Sequence, residues 1–283
     1  MFKNIKEKLV QNSILMESAL ADYYDFTDKD YASLIDAQRY GLLSGGKRIR
    51  AFLVLEICRL FGGKMEKAIP YACSIEMIHA SSLIHDDMPC MDNDDFRRGK
   101  PSTHKEFGET LALIAGDAMM ANAFNVAINN PYCDCQTNAK AVAILADSTG
   151  NNGMLAGQTI DTVCGKNKLD FETIVRLHKL KTGKLISACA KLGCIAADIS
   201  SADDKYIAAV RYAEDIGLAF QIIDDILDYQ EGRIELNSFI SFMNVVKAKE
   251  YAAKLTQDAI DVIKNFDDGT LTELANYLTT REY

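Results

Sequence analysis

Gly217-Leu-Ala-Phe-Gln-Ile-Ile-Asp-Asp-Ile-Leu-Asp228 reads as a helix that carries its charge on one side. Gln221, Asp224, Asp225 and Asp228 fall at i, i+3, i+4 and i+7, which is a single helical stripe. Phe220, Ile223 and Leu227 form an adjacent apolar stripe available for burial, so the acidic stripe is predicted to look into a cavity or solvent. Earlier in the chain, Asp86-Asp87-Met-Pro-Cys-Met-Asp92 repeats the pattern with two extra residues. Pro89 inside that interval removes a backbone donor and disturbs the helix, and a bulge there is predicted to bring Asp92 back beside Asp86. Three carboxylates beside an apolar core are unfavourable unless something cancels them. Mg²⁺ is the obvious candidate, because it takes oxygen ligands and bridges one or two carboxylates to substrate phosphates. Two such clusters predict a cavity where a phosphorylated ligand is gripped through metals from opposite walls.

Outward from these clusters the chain keeps reading as helix. Its four prolines are Pro70, Pro89, Pro101 and Pro131, and the long stretches without them are rich in Ala, Leu, Ile, Met, Lys and Glu. Helices are predicted near 3–20, 30–43, 47–60, 65–86, 106–128, 137–150, 171–179, 181–197, 203–229, 243–264 and 270–280. No sustained period-two alternation marks a strand, and no Pro/Ser linker divides the chain. The prediction is all-α, with residues 1–283 as a single domain.

A hydrophobic content of 48% across 283 residues supports a sizeable core. The net charge of −9 argues against a nucleic-acid partner, whose phosphate backbone demands a basic face. Eight cysteines show no paired zinc spacing; Cys133-Asp-Cys135 lacks a second ligand pair. The chain opens on the charged segment Lys3–Lys8 rather than a leader, and no uninterrupted apolar run approaches the roughly 18–20 residues that span a bilayer. Reduced thiols in a cytoplasmic protein are the expectation.

A diphosphate held through metals needs cationic donors as well, and three groups supply them. Gly45-Gly-Lys-Arg-Ile-Arg50 places Lys47, Arg48 and Arg50 at a helix start, where backbone N–H groups favour anions. Arg97-Arg98-Gly-Lys100 follows the first cluster, and Lys181-Thr182-Gly-Lys184 precedes a helix start in the same fashion. Each alone is also compatible with a solvated turn. The first lacks the GxxxxGK[ST] pattern and a preceding strand, which excludes a P-loop. His79 precedes Asp86 by seven residues and shares its face, which favours ligand contact over a structural role. His85-Asp86 resembles the core of some metal phosphohydrolases, but too few other histidines exist to complete such a site, so His85 is assigned a supporting role.

Taken in order, Gly45–Arg50, Ser82–Pro101, Gly116-Asp-Ala118, Gly157-Gln158 with Asp161, Lys181-Thr-Gly183 and Gly217–Asp228 resemble the trans-isoprenyl diphosphate synthases, the family of farnesyl and geranylgeranyl diphosphate synthases. The first cluster's spacing is similar to the bacterial farnesyl and plant-type geranylgeranyl branches. The resemblance implies an all-α bundle around a deep central cavity, a homodimer, and transfer of a prenyl group from an allylic diphosphate (dimethylallyl, geranyl or farnesyl) to isopentenyl diphosphate. It implies that Asp86, Asp87 and Asp92, with Asp224, Asp225 and Asp228, hold three Mg²⁺ on the allylic diphosphate. Lys47, Arg50, His79 and Arg98 would hold isopentenyl diphosphate, while Arg97, Lys181, Thr182 and Gln221 complete the allylic site.

Bacterial farnesyl synthases commonly carry an aromatic five residues before the first aspartate. Here Ser81 and Ser82 occupy that floor, and by resemblance two small residues lean toward a C20 product, with a C15 product as the alternative. A plug from Met119, Met120 or Phe124 would favour the shorter chain. After Asp228 the resemblance weakens: about a dozen residues of the family's Gly/Lys-rich loop are absent, either because the loop is lost, with Arg233 as the candidate replacement cation, or because a mobile segment is missing from the sequence as given, which is the favoured alternative. A terpene cyclase would not need Lys47, Arg50 and His79, and a non-catalytic subunit of a heteromeric prenyltransferase would not keep both clusters.

Overall fold

The computed structural model describes residues 4–25, 28–164, 167–232 and 236–280. The chain is all-α, as its sequence predicts, and the described residues group into two compact units. One unit comprises Met1–Leu55 with Met65–Val142, the other Glu56–Lys64 with Ala143–Tyr283, where the sequence leads us to expect one domain.

In the first unit, α1 (Ile5–Asp22), α2 (Ala32–Leu42), the start of α3 (Ile49–Leu60), α4 (Met65–Asp86), α5 (Thr103–Phe107), α6 (Glu109–Ile128) and the first turns of α7 (Cys135–Thr149) are assembled. Helix α4 is apolar on nearly every side, burying Tyr71, Ile75, Met77 and Ile78, and is therefore the central element. It packs chiefly on α6, whose small buried residues Ala112, Ala115, Gly116 and Ala123 permit close approach. Among the described residues α6 is long and apolar enough on average to cross a membrane, although Glu109 and Asp117 interrupt its apolar run, as expected from the sequence. Here it lies against α4 and leaves Leu113 and Ile114 exposed. A helix predicted over 106–128 is split at Gly108, whose φ of 84° no α-helix accommodates.

The second unit is organised by α11 (Asp204–Gln230), with α10 (Lys184–Ala196), α12 (Val245–Ile263) and α13 (Thr270–Thr279) against it, joined by α8 (Met154–Thr159) and α9 (Phe171–His178). Ile174, Ile222, Ile226, Phe239 and Ala252 form its core. Asp203 caps α11 by accepting from the Lys205 N–H, and Asn244 caps α12 by accepting from the Lys247 N–H. Two π-helical turns, Ile160–Cys164 and Lys179–Gly183, extend α8 and join α9 to α10. The sequence places a break at the second and does not anticipate α8 or the first.

Candidate active site

The first acidic cluster sits where α4 stops. Beyond Asp86 the backbone folds back: the Asp92 N–H donates to the Asp86 carbonyl at 2.9 Å and Asn93 N–H to Met88 O at 3.1 Å. The extra residues around Pro89 thus return Asp92 to the end of the helix, as the spacing predicts. The three carboxylates differ in setting. Asp86 is half-buried and Asp92 exposed, whereas Asp87 is 2% exposed. Asp87 accepts from Arg97 Nε at 2.8 Å and also from Arg97 Nη2, and its backbone carbonyl accepts from the Asp94 N–H. Asp87 therefore anchors Arg97, and its burial corrects the picture of three equivalent metal-facing carboxylates.

Arg97 and Arg98 lie in a two-residue hairpin, β1 (Phe96–Arg97) pairing antiparallel with β2 (Lys100–Pro101). Arg98 and Gly99 both have positive φ, 54° and 75°, the requirement of a type I′ turn. The turn sends Arg97 to Asp87 and lets Arg98 Nη1 donate to the Gly45 carbonyl. Gly46 completes this contact, since a methyl group there would lie 2.9 Å from the Arg98 guanidinium carbon.

Across the loop ahead of α3 and that helix's first turn the three cations also separate. Arg48 is 5% exposed, donates to Leu42 O at 2.6 Å and pairs with Glu76 at 3.3 Å. Glu76 also accepts from the Ala51 N–H at 3.0 Å, so one of the helix-start donors expected to favour an anion is already satisfied. Arg48 is thus a buried structural residue, while Lys47 is exposed and Arg50 half-buried. Arg50 and Arg98 both act on His79: burial first, then these guanidinium groups, push His79 well below the usual imidazole range. Arg50, His79 and Arg98 thus lie within electrostatic reach of one another, with the imidazole held toward its neutral form. His85 supports the helix, its Nε2 3.2 Å from Leu113 O, and a methyl group at Gly116 would collide with its ring, 2.5 Å from Cδ2 and closer still to Nε2. Ser81 is fully buried and Ser82 half-buried; their hydroxyls donate to Ile78 O and His79 O, leaving small, satisfied surfaces.

In the second unit, both π-turns carry candidate residues, and such turns are frequent at functional sites. Lys181 Nζ, in one turn, donates to Asp161 Oδ2, in the other, at 2.5 Å. Gly157 makes the approach possible, since a methyl group there would lie 2.6 Å from Lys181 Cα. Thr182 is buried. On α11 the predicted acidic stripe divides. Gln221, Asp224 and Asp228 are half-buried, and Gln221 Nε2 donates to Asp224 Oδ2 at 3.3 Å. Asp225 is 8% exposed and accepts from the Phe239 N–H at 2.7 Å. As with Asp87, the second aspartate holds the framework.

Sequence reasoning missed the partners of these residues. Glu76 is the single acid in the apolar interior of α4, between Glu66 and Asp86 at its ends, which is a signal for a buried cation nearby. His178 lies 3.3 Å from Gln221 Oε1 through Nδ1 and stacks on Phe239 with centroids 5.0 Å apart. Nothing local in the sequence marks that long-range pair. Arg233 lies outside the described residues.

The donor set suits Mg²⁺. The outward side chains of both clusters are carboxylates, and among the described residues no three His, Cys, Asp or Glu side chains converge on one point. Oxygen-only donors are what an ion needs that takes one or two protein carboxylates and completes its shell with water and phosphate oxygens.

The polyprenyl synthetase family profile matches residues 32–238. A geranylgeranyl pyrophosphate synthase of Capsicum annuum is 38% identical, the match covering 99% of this chain and 79% of that protein. A geranylgeranyl diphosphate synthase of Cyanophora paradoxa is 40% identical over 88% of this chain and 87% of its own. The apo crystal structure of an FPP/GFPP synthase from Zymomonas mobilis superposes with a TM-score of 0.90 at 36% identity, covering 98% of this chain and 99% of that one. With motifs, helices and relatives in agreement, the chain belongs to the polyprenyl synthetase family and is a trans-prenyltransferase.

Proposed function

We propose that this enzyme condenses isopentenyl diphosphate head-to-tail with an allylic diphosphate, in the presence of Mg²⁺, to give all-trans geranylgeranyl diphosphate. The observation that carries the reading is the folding back of Asp92 onto Asp86 in the same unit as the basic group of Arg50, His79 and Arg98. Asp86, Asp92, Asp224 and Asp228 would hold about three Mg²⁺ ions. Bound Mg²⁺ supplies Lewis-acid stabilisation of the departing diphosphate.

This chain's own residues do the rest. Lys181, with Thr182 and Gln221 of the same unit, orients the allylic diphosphate and meets the charge that develops as its C–O bond breaks. Arg50, Arg98 and Lys47 hold isopentenyl diphosphate, and neutral His79 contributes a hydrogen bond without adding charge. The isopentenyl double bond attacks the allylic cation, and a proton then leaves, for which departed diphosphate is a sufficient acceptor. Asp87 and Asp225 position Arg97 and the segment at Phe239. The small side chains of Ser81 and Ser82, and relatives that carry the geranylgeranyl name, support C20 over C15. The proposal includes a cytoplasmic homodimer, supported by the apolar side chains Leu113 and Ile114 that α6 leaves exposed.

Labelled isopentenyl diphosphate, offered with dimethylallyl, geranyl or farnesyl diphosphate and Mg²⁺, tests the reading by product chromatography. A C20 product is expected. A C15 end point replaces it with farnesyl diphosphate synthesis, a cyclic hydrocarbon with a cyclase, and no turnover with a non-catalytic subunit.

A further inference from the structure

We propose that His178, the last residue of α9, is a positioning residue for prenyl transfer: it donates through Nδ1 to the amide oxygen of Gln221 and so keeps the NH2 group of that side chain turned toward Asp224 and the diphosphate. The catalytic consequence rests on the assignment of Gln221 to the allylic site, but the hydrogen bond does not. The orientation of the amide follows from its two neighbours. Gln221 Nε2 donates to Asp224 Oδ2 at 3.3 Å, and a carboxylate oxygen only accepts. Turned over, the amide would set its own oxygen against that carboxylate. Oε1 therefore faces His178, 3.3 Å from Nδ1, and Nδ1 must carry the proton. The other ring nitrogen agrees. Nε2 is buried without a hydrogen-bond partner, and Asp225 Oδ2 stands off at 3.9 Å. A proton on Nε2 alone would leave a buried N–H unpaired and set the Nδ1 lone pair against Oε1, two costs that the Nδ1–H form avoids.

The ring is confined as well as bonded. It stacks on Phe239 with 22° between the planes and centroids 5.0 Å apart. Phe239 is itself fully buried, its N–H held by Asp225 at 2.7 Å and its ring met edge-on by Phe171 and Tyr251. A ring so stacked keeps two orientations in its plane, and only one presents a nitrogen to Gln221. His178 also stands immediately before the π-turn that carries Lys181 and Thr182, so this one bond ties that turn to the acidic stripe of α11. The benefit lies in the amide it orients. Diphosphate oxygens accept hydrogen bonds, so an NH2 group attracts them and an amide oxygen repels them. An unheld Gln221 could present either end; His178 removes the wrong one before substrate arrives, which is preorganisation.

Two measurements test this. The first needs neither substrate nor metal: long-range ¹H–¹⁵N correlation spectra of the full-length protein labelled with ¹⁵N-histidine, in which the signals lost from His178→Phe identify this residue among the four histidines. A proton on Nδ1 is expected, and a proton on Nε2 alone overturns the proposal. The second is steady-state kinetics with Mg²⁺. His178→Phe keeps an aromatic ring against Phe239 but loses the donor, and should raise KM for the allylic diphosphate about tenfold, the worth of one hydrogen bond, with KM for isopentenyl diphosphate changed less than about twofold. His178→Asn loses the stack yet returns an N–H near the position of Nδ1, and should restore most of the allylic KM even though it unfolds more readily. A histidine with a merely structural role predicts the reverse order, Asn worse than Phe, and that result overturns the proposal. In a Gln221→Leu background His178→Phe should add nothing; a loss as large as in the wild type would show that His178 does not act through Gln221. Should the wild type elongate no primer, prenyl transfer fails as a reading, and the spectra still decide where the His178 proton sits.

Discussion

Gly157→Ala probes the placement of Lys181 without touching Lys181. The added methyl group would lie 2.6 Å from Lys181 Cα, whereas ordinary van der Waals contact begins near 3.4 Å, so the two backbones must part by roughly 1 Å. Neither can yield as a flexible side chain does, because both lie in continuous helical segments that pack on one another. A stability loss of about 1–3 kcal/mol is the consequence of overpacking of this kind. The catalytic effect should be larger in proportion, since a misplacement of about 1 Å costs on the order of 100-fold in rate. Steady-state kinetics with each substrate varied in turn, beside a urea unfolding curve, measure both. Expected is a fall in kcat/KM for the allylic diphosphate of about 100-fold in a protein that still unfolds cooperatively. Activity within threefold of wild type would refute the reasoning, because it would mean either that the contact relaxes freely or that Lys181 does not need its position.

Asp87→Ala leaves the Arg97 guanidinium, 34% exposed, without its buried partner, and should cost about 2–3 kcal/mol, below the full penalty for a buried pair. Asp86→Asn should do the reverse, reducing turnover at least 100-fold while shifting stability by less than about 1 kcal/mol; equal effects on stability would return the two aspartates to one role. His178 is pushed down to about 4 by burial, so the unfolded chain binds its proton first as pH falls. Its contribution is whole above about 6.5 and drains away towards 4, about 3 kcal/mol in all, and His178→Gln should flatten that part of the stability–pH curve. Ser81→Tyr should shorten the product to C15 or less, at an overpacking cost of about 1–3 kcal/mol in a site that is fully buried; an unchanged product would remove Ser81 from chain-length control.

The helices were legible where periodicity and punctuation agreed. The bounds of α4 follow from its apolar run and Pro89, and the fold-back of Asp92 follows from two extra residues around a proline. What the one-dimensional pattern cannot carry is rotation about a helix axis by a fraction of a turn. Asp224 and Asp225 share a stripe in projection, yet a buried N–H from Phe239, fourteen residues away, claims only the second. Lys181-Thr-Gly183 looks like a stop because glycine weakens a helix, but the chain takes a π-turn and continues. Arg48 shows the same limit: its burial depends on Glu76, which belongs to another helix. The site residues were visible as types, and their division of labour became visible only with their neighbours.

The π-turn at Lys179–Gly183 also fixes the rotational phase of α10. A π-turn takes its hydrogen bond one residue further than an α-turn does, so losing one residue from Lys179–Gly183 would restore an ordinary helix. Were the turn instead to wind as an ordinary α-helix with all its residues kept, every later residue of α10 would swing by about 100° and advance by about 1.5 Å. Leu185, Ala188 and Leu192, now buried, would then face new surroundings. The one additional residue taken up by the turn is therefore what keeps α10 in phase: as in a gear train, the number of teeth matters more than the metal they are cut from.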